Sequence, residues 1–145
     1  MITAVDTNVL LDVFASDPVF GPASRRGLEQ AVQNGGIVAC EVVWAEVAAW
    51  FSSTAKLDHA MDELRVRFVP LDAAVAAHAG RTWRAYLRNG GKRRRILADF
   101  LIAAHATTNA DRLLTRDQGF YRKHFAGLTV LDPTTGQPSP PPASR

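Results

Sequence analysis

Four carboxylates in this chain occupy settings that surface or capping duties do not jointly explain. Asp6 follows Ile2-Thr3-Ala4-Val5, and Arg116-Asp117 follows Arg112-Leu113-Leu114-Thr115. Both acids therefore sit at the C-terminal ends of short apolar runs that read as strands. Glu46 has Val42, Val43, Ala49 and Trp50 three and four positions away, and Asp99 has Ile96, Ile102 and Ala103. Such neighbours share a face in a helix, where a charged carboxylate is costly unless something compensates it. Taken singly, some have ordinary readings: Asp6 or Thr7 can cap the next helix, and Asp117 can cap the turn around Phe120-Tyr121. Asp99 has apolar residues on both sides and is a poor helix former, so capping does not account for it.

One shared cause accounts for all four. Hard divalent cations such as Mg²⁺ or Mn²⁺ take carboxylate oxygens and keep water in their shell. Without an ion, a cluster of Asp6, Glu46, Asp99 and Asp117 would repel itself and some of its pKa values would rise. A bound metal can activate water and neutralise a phosphodiester in the transition state, and two metals about 3.5–4 Å apart could clamp the attacking and leaving oxygens. No Ser/His/Asp or Cys/His arrangement and no Gly-rich phosphate loop competes. The chemistry indicated is metal-dependent phosphodiester hydrolysis.

The elements that must position these acids alternate between strand and helix, which predicts an α/β fold with a parallel sheet. In such sheets ligands bind at the C-terminal ends of the strands. A short helix is expected over 9–14, with Asp12 as a solvent-facing charge, and a second over 22–34, opened by Pro22 and closed by Gly35-Gly36. A brief strand at 37–40 precedes a helix over 41–51, where Glu41 suits the helix start. A further helix ends near Arg65, a strand covers 66–71, and Asp72 caps a helix over 73–88. The nearly all-apolar segment 96–106 predicts a buried helix carrying Asp99, with His105 on a different side. A last strand covers 128–131. From Asp132 onward the chain is rich in Pro, Ser and Thr and is expected to be disordered. Residues 1–133 are read as a single domain and 134–145 as a Pro-rich tail.

The 145 residues, 47% of them hydrophobic, suffice for one domain with a sizeable core. A net charge of +3 and a pI near 9.5 permit a polyanionic partner without demanding one. The densest positive charge, Lys92-Arg93-Arg94-Arg95, reads equally as a solvated loop or as a phosphate-backbone contact. Cys40 is the sole cysteine, so no internal disulfide or cysteine-based zinc cluster is available. The N-terminus lacks the basic and long apolar regions of a signal peptide, and no apolar run approaches a membrane span. The expected compartment is the cytoplasm.

Asp6-Thr7-Asn8, Glu46 within Val-Trp-Ala-Glu-Val, Asp99 within Asp-Phe-Leu-Ile-Ala-Ala-His-Ala, and Thr115-Arg116-Asp117 together resemble the PIN-domain ribonuclease pattern. Their order and spacing, and the chain length, are similar to those of VapC toxins of type II toxin–antitoxin pairs. The resemblance covers about residues 1–133. It implies a central parallel sheet, Mg²⁺- or Mn²⁺-dependent endonuclease activity on RNA, a homodimer, and a VapB-like antitoxin that covers the acidic pocket. By position it assigns Asp6, Glu46, Asp99 and Asp117 as catalytic, metal-binding acids, and Thr7, Asn8 and Thr115 as supporting polar residues. Many members carry an Asp just before the Phe that follows the last strand of the pattern. Here Gly119 precedes Phe120, which leaves Asp117 as the fourth acid.

Three rivals stand beside this reading. A housekeeping PIN nuclease in RNA processing would share the chemistry. An aspartyl-phosphate phosphotransferase or phosphatase wants a second Asp two residues after the first, where this chain has Asn8. A non-catalytic RNA- or protein-binding module would retain the fold and lose acids.

Overall fold

The computed structural model describes residues 1–92, 97–135 and 138–139. Its centre is a sheet in the order β3-β2-β1-β4-β5-β6, built from β1 (Ile2–Val5), β2 (Gly36–Ala39), β3 (Val66–Phe68), β4 (Arg112–Leu114), β5 (Val130–Leu131) and β6 (Pro138–Ser139). The first five in this order pair parallel, and β6 closes the edge antiparallel to β5. Short β-branched runs such as Ile2-Thr3-Ala4-Val5 supply strands buried on both faces, as a parallel sheet covered by helices requires.

Seven helices accompany the sheet among the described residues: α1 (Thr7–Phe14), α2 (Gly21–Gln33), α3 (Glu41–Ala48), α4 (Thr54–Glu63), α5 (Ala73–Arg88), α6 (Leu97–Asn109) and α7 (Gln118–His124). Ser53 and Asp72 cap α4 and α5 with side-chain oxygens, as their residue types favour. Helix α6 is buried along Phe100, Ile102, Ala103, Ala104, His105 and Ala106, in keeping with its apolar sequence. No helix among the described residues is long and apolar enough to cross a membrane.

The topology places the site. From β1 the chain steps outward to β2 and β3, then returns to lay β4 and β5 on the other side of β1. The strand order thus reverses between β1 and β4, the position where open α/β sheets bind ligands. Val5 lies in register with Leu114, so Asp6 and Thr115 leave the sheet side by side.

Several expectations change. Helix α1 begins at Thr7 rather than Val9, because Asp6 itself caps it. Asp12 is buried at 4% exposure instead of facing solvent. Helix α3 stops at Ala48, leaving Trp50 beyond its end and exposed. The chain after Leu131 does not lose order at once. Asp132 and Pro133 are buried, Asp132 accepts hydrogen bonds from Thr134 and Gln118, and Pro138–Ser139 form β6. The rest of the expected tail, 136–137 and 140–145, lies outside the described residues.

Candidate active site

Asp6 is the centre of a hydrogen-bonded cluster at the β1–β4 junction. Its backbone N–H donates to the Leu114 carbonyl at 3.0 Å, extending the strand pairing by one residue. Oδ1 accepts from the Thr7 N–H at 2.7 Å, capping α1, and Oδ2 accepts from the Thr115 hydroxyl at 2.8 Å. Asn8 Nδ2 lies 3.5 Å from Asp6 Oδ2 and 3.4 Å from Thr115 Oγ1, while Asn8 Oδ1 accepts from the Arg116 N–H at 3.3 Å. Asp6 therefore caps α1 with one carboxylate oxygen and joins the polar cluster at the strand ends with the other.

The other acids reach this centre from three directions. Glu46, on α3, accepts a hydrogen bond from the Thr7 hydroxyl at 2.9 Å. It is exposed, which corrects its expected place inside an apolar stripe. With Trp50 outside the helix, the stripe narrows to Val43 and Val47, and Glu46 turns to the surface. Asp117 stands at the start of α7 but makes no capping bond to it; its own N–H donates to Thr115 Oγ1 at 3.0 Å. Asp99 is half-buried in the first turn of α6, where its charge suits the helix dipole. That favourable placement is one the sequence alone does not show.

Electrostatics connects the acids. Burial pushes the Asp6 carboxyl above the usual carboxylate range, and the charge of Glu46 adds to the rise, against hydrogen bonds from Thr115 and Thr7 and an interaction with Tyr121. The Tyr121 phenol, on α7, is fully buried and its pKa is driven strongly upward. Burial is the main cause, followed by the charges of Asp6 and Asp99, with Asp117 also contributing. Its hydroxyl makes no hydrogen bond of good geometry in this conformation, although it is close enough to Asp6 for the two groups to affect each other. The charges of Asp6, Asp99 and Asp117 thus all act on one buried hydroxyl, and that of Glu46 acts on Asp6. Oxygen donors of this kind fit a hard divalent cation. Among the described residues, no three acidic, imidazole or thiol side chains close into a ready ligand set.

Two further contributors have no local signature. Arg116 reaches back to the buried Asp12 with Nε and Nη2, at 2.7 and 2.9 Å. Asp12 also accepts from Ser24 Oγ at 2.7 Å, and the Arg116 guanidinium lies over the Phe20 ring at 4.0 Å. This clasp holds the backbone between Thr115 and Asp117. Tyr121 is the second, an aromatic in a short helix that reads from sequence as plain packing. Of the basic run, Lys92 is exposed, and Arg93, Arg94 and Arg95 lie outside the described residues.

The PIN domain family model matches residues 3–126. No curated protein matches the sequence. Among known structures, the chain is similar to VapBC2 from Rickettsia felis bound to a promoter DNA fragment, with 22% identity, a TM-score of 0.70, and coverage of 91% of this chain and 98% of that one. VapBC-1 from nontypeable Haemophilus influenzae gives 22% identity and a TM-score of 0.68 over 92% and 99% of the two chains. FitAcB from Neisseria gonorrhoeae gives 25% identity and a TM-score of 0.63 over 92% and 99%. With the family model spanning most of the chain, from within β1 to just beyond α7, and the same architecture in these neighbours, the protein belongs to the PIN domain family.

Proposed function

We propose that this PIN-domain protein is a VapC-type toxin: a Mg²⁺- or Mn²⁺-dependent endoribonuclease held in check by a VapB-like antitoxin, working in the cytoplasm as a homodimer. The observation that carries the catalytic part is the hydrogen-bonded cluster at the β1–β4 junction, which joins Asp6 to Glu46 through Thr7 and to the Asp117 backbone through Thr115. The charges of Asp6, Asp99 and Asp117 also converge electrostatically on the buried Tyr121. The antitoxin part is supported by neighbours that are themselves VapBC complexes.

In this reading Asp6, Glu46, Asp99 and Asp117 hold the metal, which when bound supplies an activated water and neutralises phosphate charge. The chain's other residues orient those acids. Thr115 fixes one oxygen of Asp6 and the backbone of Asp117, so one hydroxyl sets two acids relative to each other. Thr7 caps onto Asp6 through its N–H and holds Glu46 through its hydroxyl. Asn8 joins the two strand ends. Polar partners of this kind tune ligand orientation and typically change activity about 10–100-fold when removed.

The test is cleavage of total RNA by purified, antitoxin-free protein and by Asp99→Asn, with Mg²⁺, Mn²⁺ or EDTA. Discrete cuts that require metal and vanish in the variant are expected. A folded wild-type protein that cuts no RNA in either metal sinks the proposal.

A further inference from the structure

A cleft of about 600 Å³ opens between the C-terminal end of α5, the turn after it and the C-terminal end of α7. Lys92 and Lys123 stand on its two sides, and Tyr86 and His124 line it between them. Both lysines are exposed, and neither enters an ion pair with a described residue. Two cations on the two sides of the cleft, with no ion-pair carboxylate among the described residues, form a local excess of positive charge open to an anionic ligand.

The cleft is built rather than incidental. Tyr86 donates its hydroxyl to the Lys92 carbonyl at 2.7 Å, and the Gly91 N–H donates to the Tyr86 carbonyl at 2.8 Å. Gly90 takes φ +80°, and a Cβ on Gly91 would come within 2.5 Å of Tyr86, so the Gly90-Gly91 pair is what lets the turn fold against the ring. Lys92 is thereby delivered to a defined place at the rim.

The same wall is tied to the acids by rings in contact. Tyr86 packs on Phe100, Phe100 on Phe120, and Phe120 on His124, at centroid separations of 5.4, 5.4 and 5.1 Å, and Tyr86 meets His124 edge-to-face at 5.1 Å. Phe100 follows Asp99 directly, and Phe120 precedes Tyr121. Helix α7 carries Asp117 at its start and Lys123 near its end, about 9 Å further along by helical rise. That is a short step along a single nucleic acid strand.

We infer that this cleft is a phosphate-binding subsite for the RNA strand beside the cleaved bond. Lys92 and Lys123 hold the backbone, and the Tyr86–His124 wall offers a base an aromatic surface. The inference rests on the nuclease reading for the identity of the ligand and extends it to where the strand runs.

The test is equilibrium binding of a single-stranded RNA oligonucleotide in EDTA, across a salt series, by wild type, Lys92→Gln, Lys123→Gln and the double variant. Both positions are exposed, so the substitutions leave the fold in place. Each single change should weaken binding severalfold and reduce the slope of log K against log salt by about 0.7, the double by about 1.4. Unchanged affinity and slope in the double variant, or no RNA binding by wild type, overturns the subsite; a cleft that then docks a protein partner instead is the alternative. Cleavage of the same oligonucleotide in Mn²⁺ reads the nuclease separately. Lysine-dependent binding without cutting sustains the subsite and removes the nuclease.

Discussion

Arg116 and Asp12 form a two-pronged ion pair, Nε to Oδ2 at 2.7 Å and Nη2 to Oδ1 at 2.9 Å, between residues 104 apart in the chain. Asp12 is buried, and the Arg116 side chain is 28% exposed. The pair matters because Arg116 lies between Thr115 and Asp117, so whatever anchors it anchors both.

Arg116→Met leaves the Asp12 carboxylate buried with Ser24 as its one side-chain donor among the described residues. It should cost about 1.5–3 kcal/mol of stability, the range for a hydrogen bond to a charged group, measured by chemical denaturation. RNA cleavage should fall as Asp117 loses its anchor. Arg116→Lys should recover little, because an ammonium cannot span both oxygens. Full stability in Arg116→Met would mean that Asp12 finds another partner.

Thr115→Val keeps the shape and removes the hydroxyl that donates to Asp6 and accepts from the Asp117 N–H. Cleavage should drop about 10–100-fold, with stability lower by about 1–2 kcal/mol, and Thr115→Ser should restore most of both. A valine variant with wild-type cleavage would show that Asp6 is oriented by Thr7 and Asn8 alone.

Tyr121→Phe deletes a buried hydroxyl that has no good hydrogen bond. The metal-free variant should melt at or above the wild-type temperature, gaining about 1 kcal/mol from removal of an unsatisfied polar group. A clear loss of thermal stability would show that the hydroxyl is bonded in solution.

His105 supplies a pH dependence away from the acids. It is 1% exposed, and its Nε2 donates to the Val69 carbonyl at 2.8 Å. Burial holds its pKa below the ordinary 6.5, outweighing the opposing effects of that bond and of Glu41. The unfolded chain therefore takes up this proton at a higher pH than the folded one. The contribution to stability is complete above about pH 6.5 and is lost progressively as pH falls toward the lower folded value. His105→Gln should flatten that part of the stability–pH curve. An unchanged curve would assign the acid sensitivity to other groups.

What the sequence by itself determined was local. Apolar runs ending in Asp6 and Arg116-Asp117 specified strands with acids at their C-terminal ends, and the alternation with helices specified a parallel sheet. The apolar segment around Asp99 specified a buried helix. Each rests on periodicity and turn chemistry among neighbours a few residues apart. Tertiary structure decided what depends on pairings across the chain. The β1–β4 register sets Asp6 beside Thr115, and the reversal of strand order there opens the site. Burial of Asp12 follows from Arg116, since a carboxylate reads as solvent-facing until a distant guanidinium compensates its loss of water. The surface position of Glu46 follows from where α3 stops, and Tyr121 joins the acids only because folding brings α7, with Asp117 at its own start, within electrostatic reach of Asp6 after β1 and Asp99 on α6. A sequence shows which side chains are costly to bury; only the folded chain shows what offsets that cost.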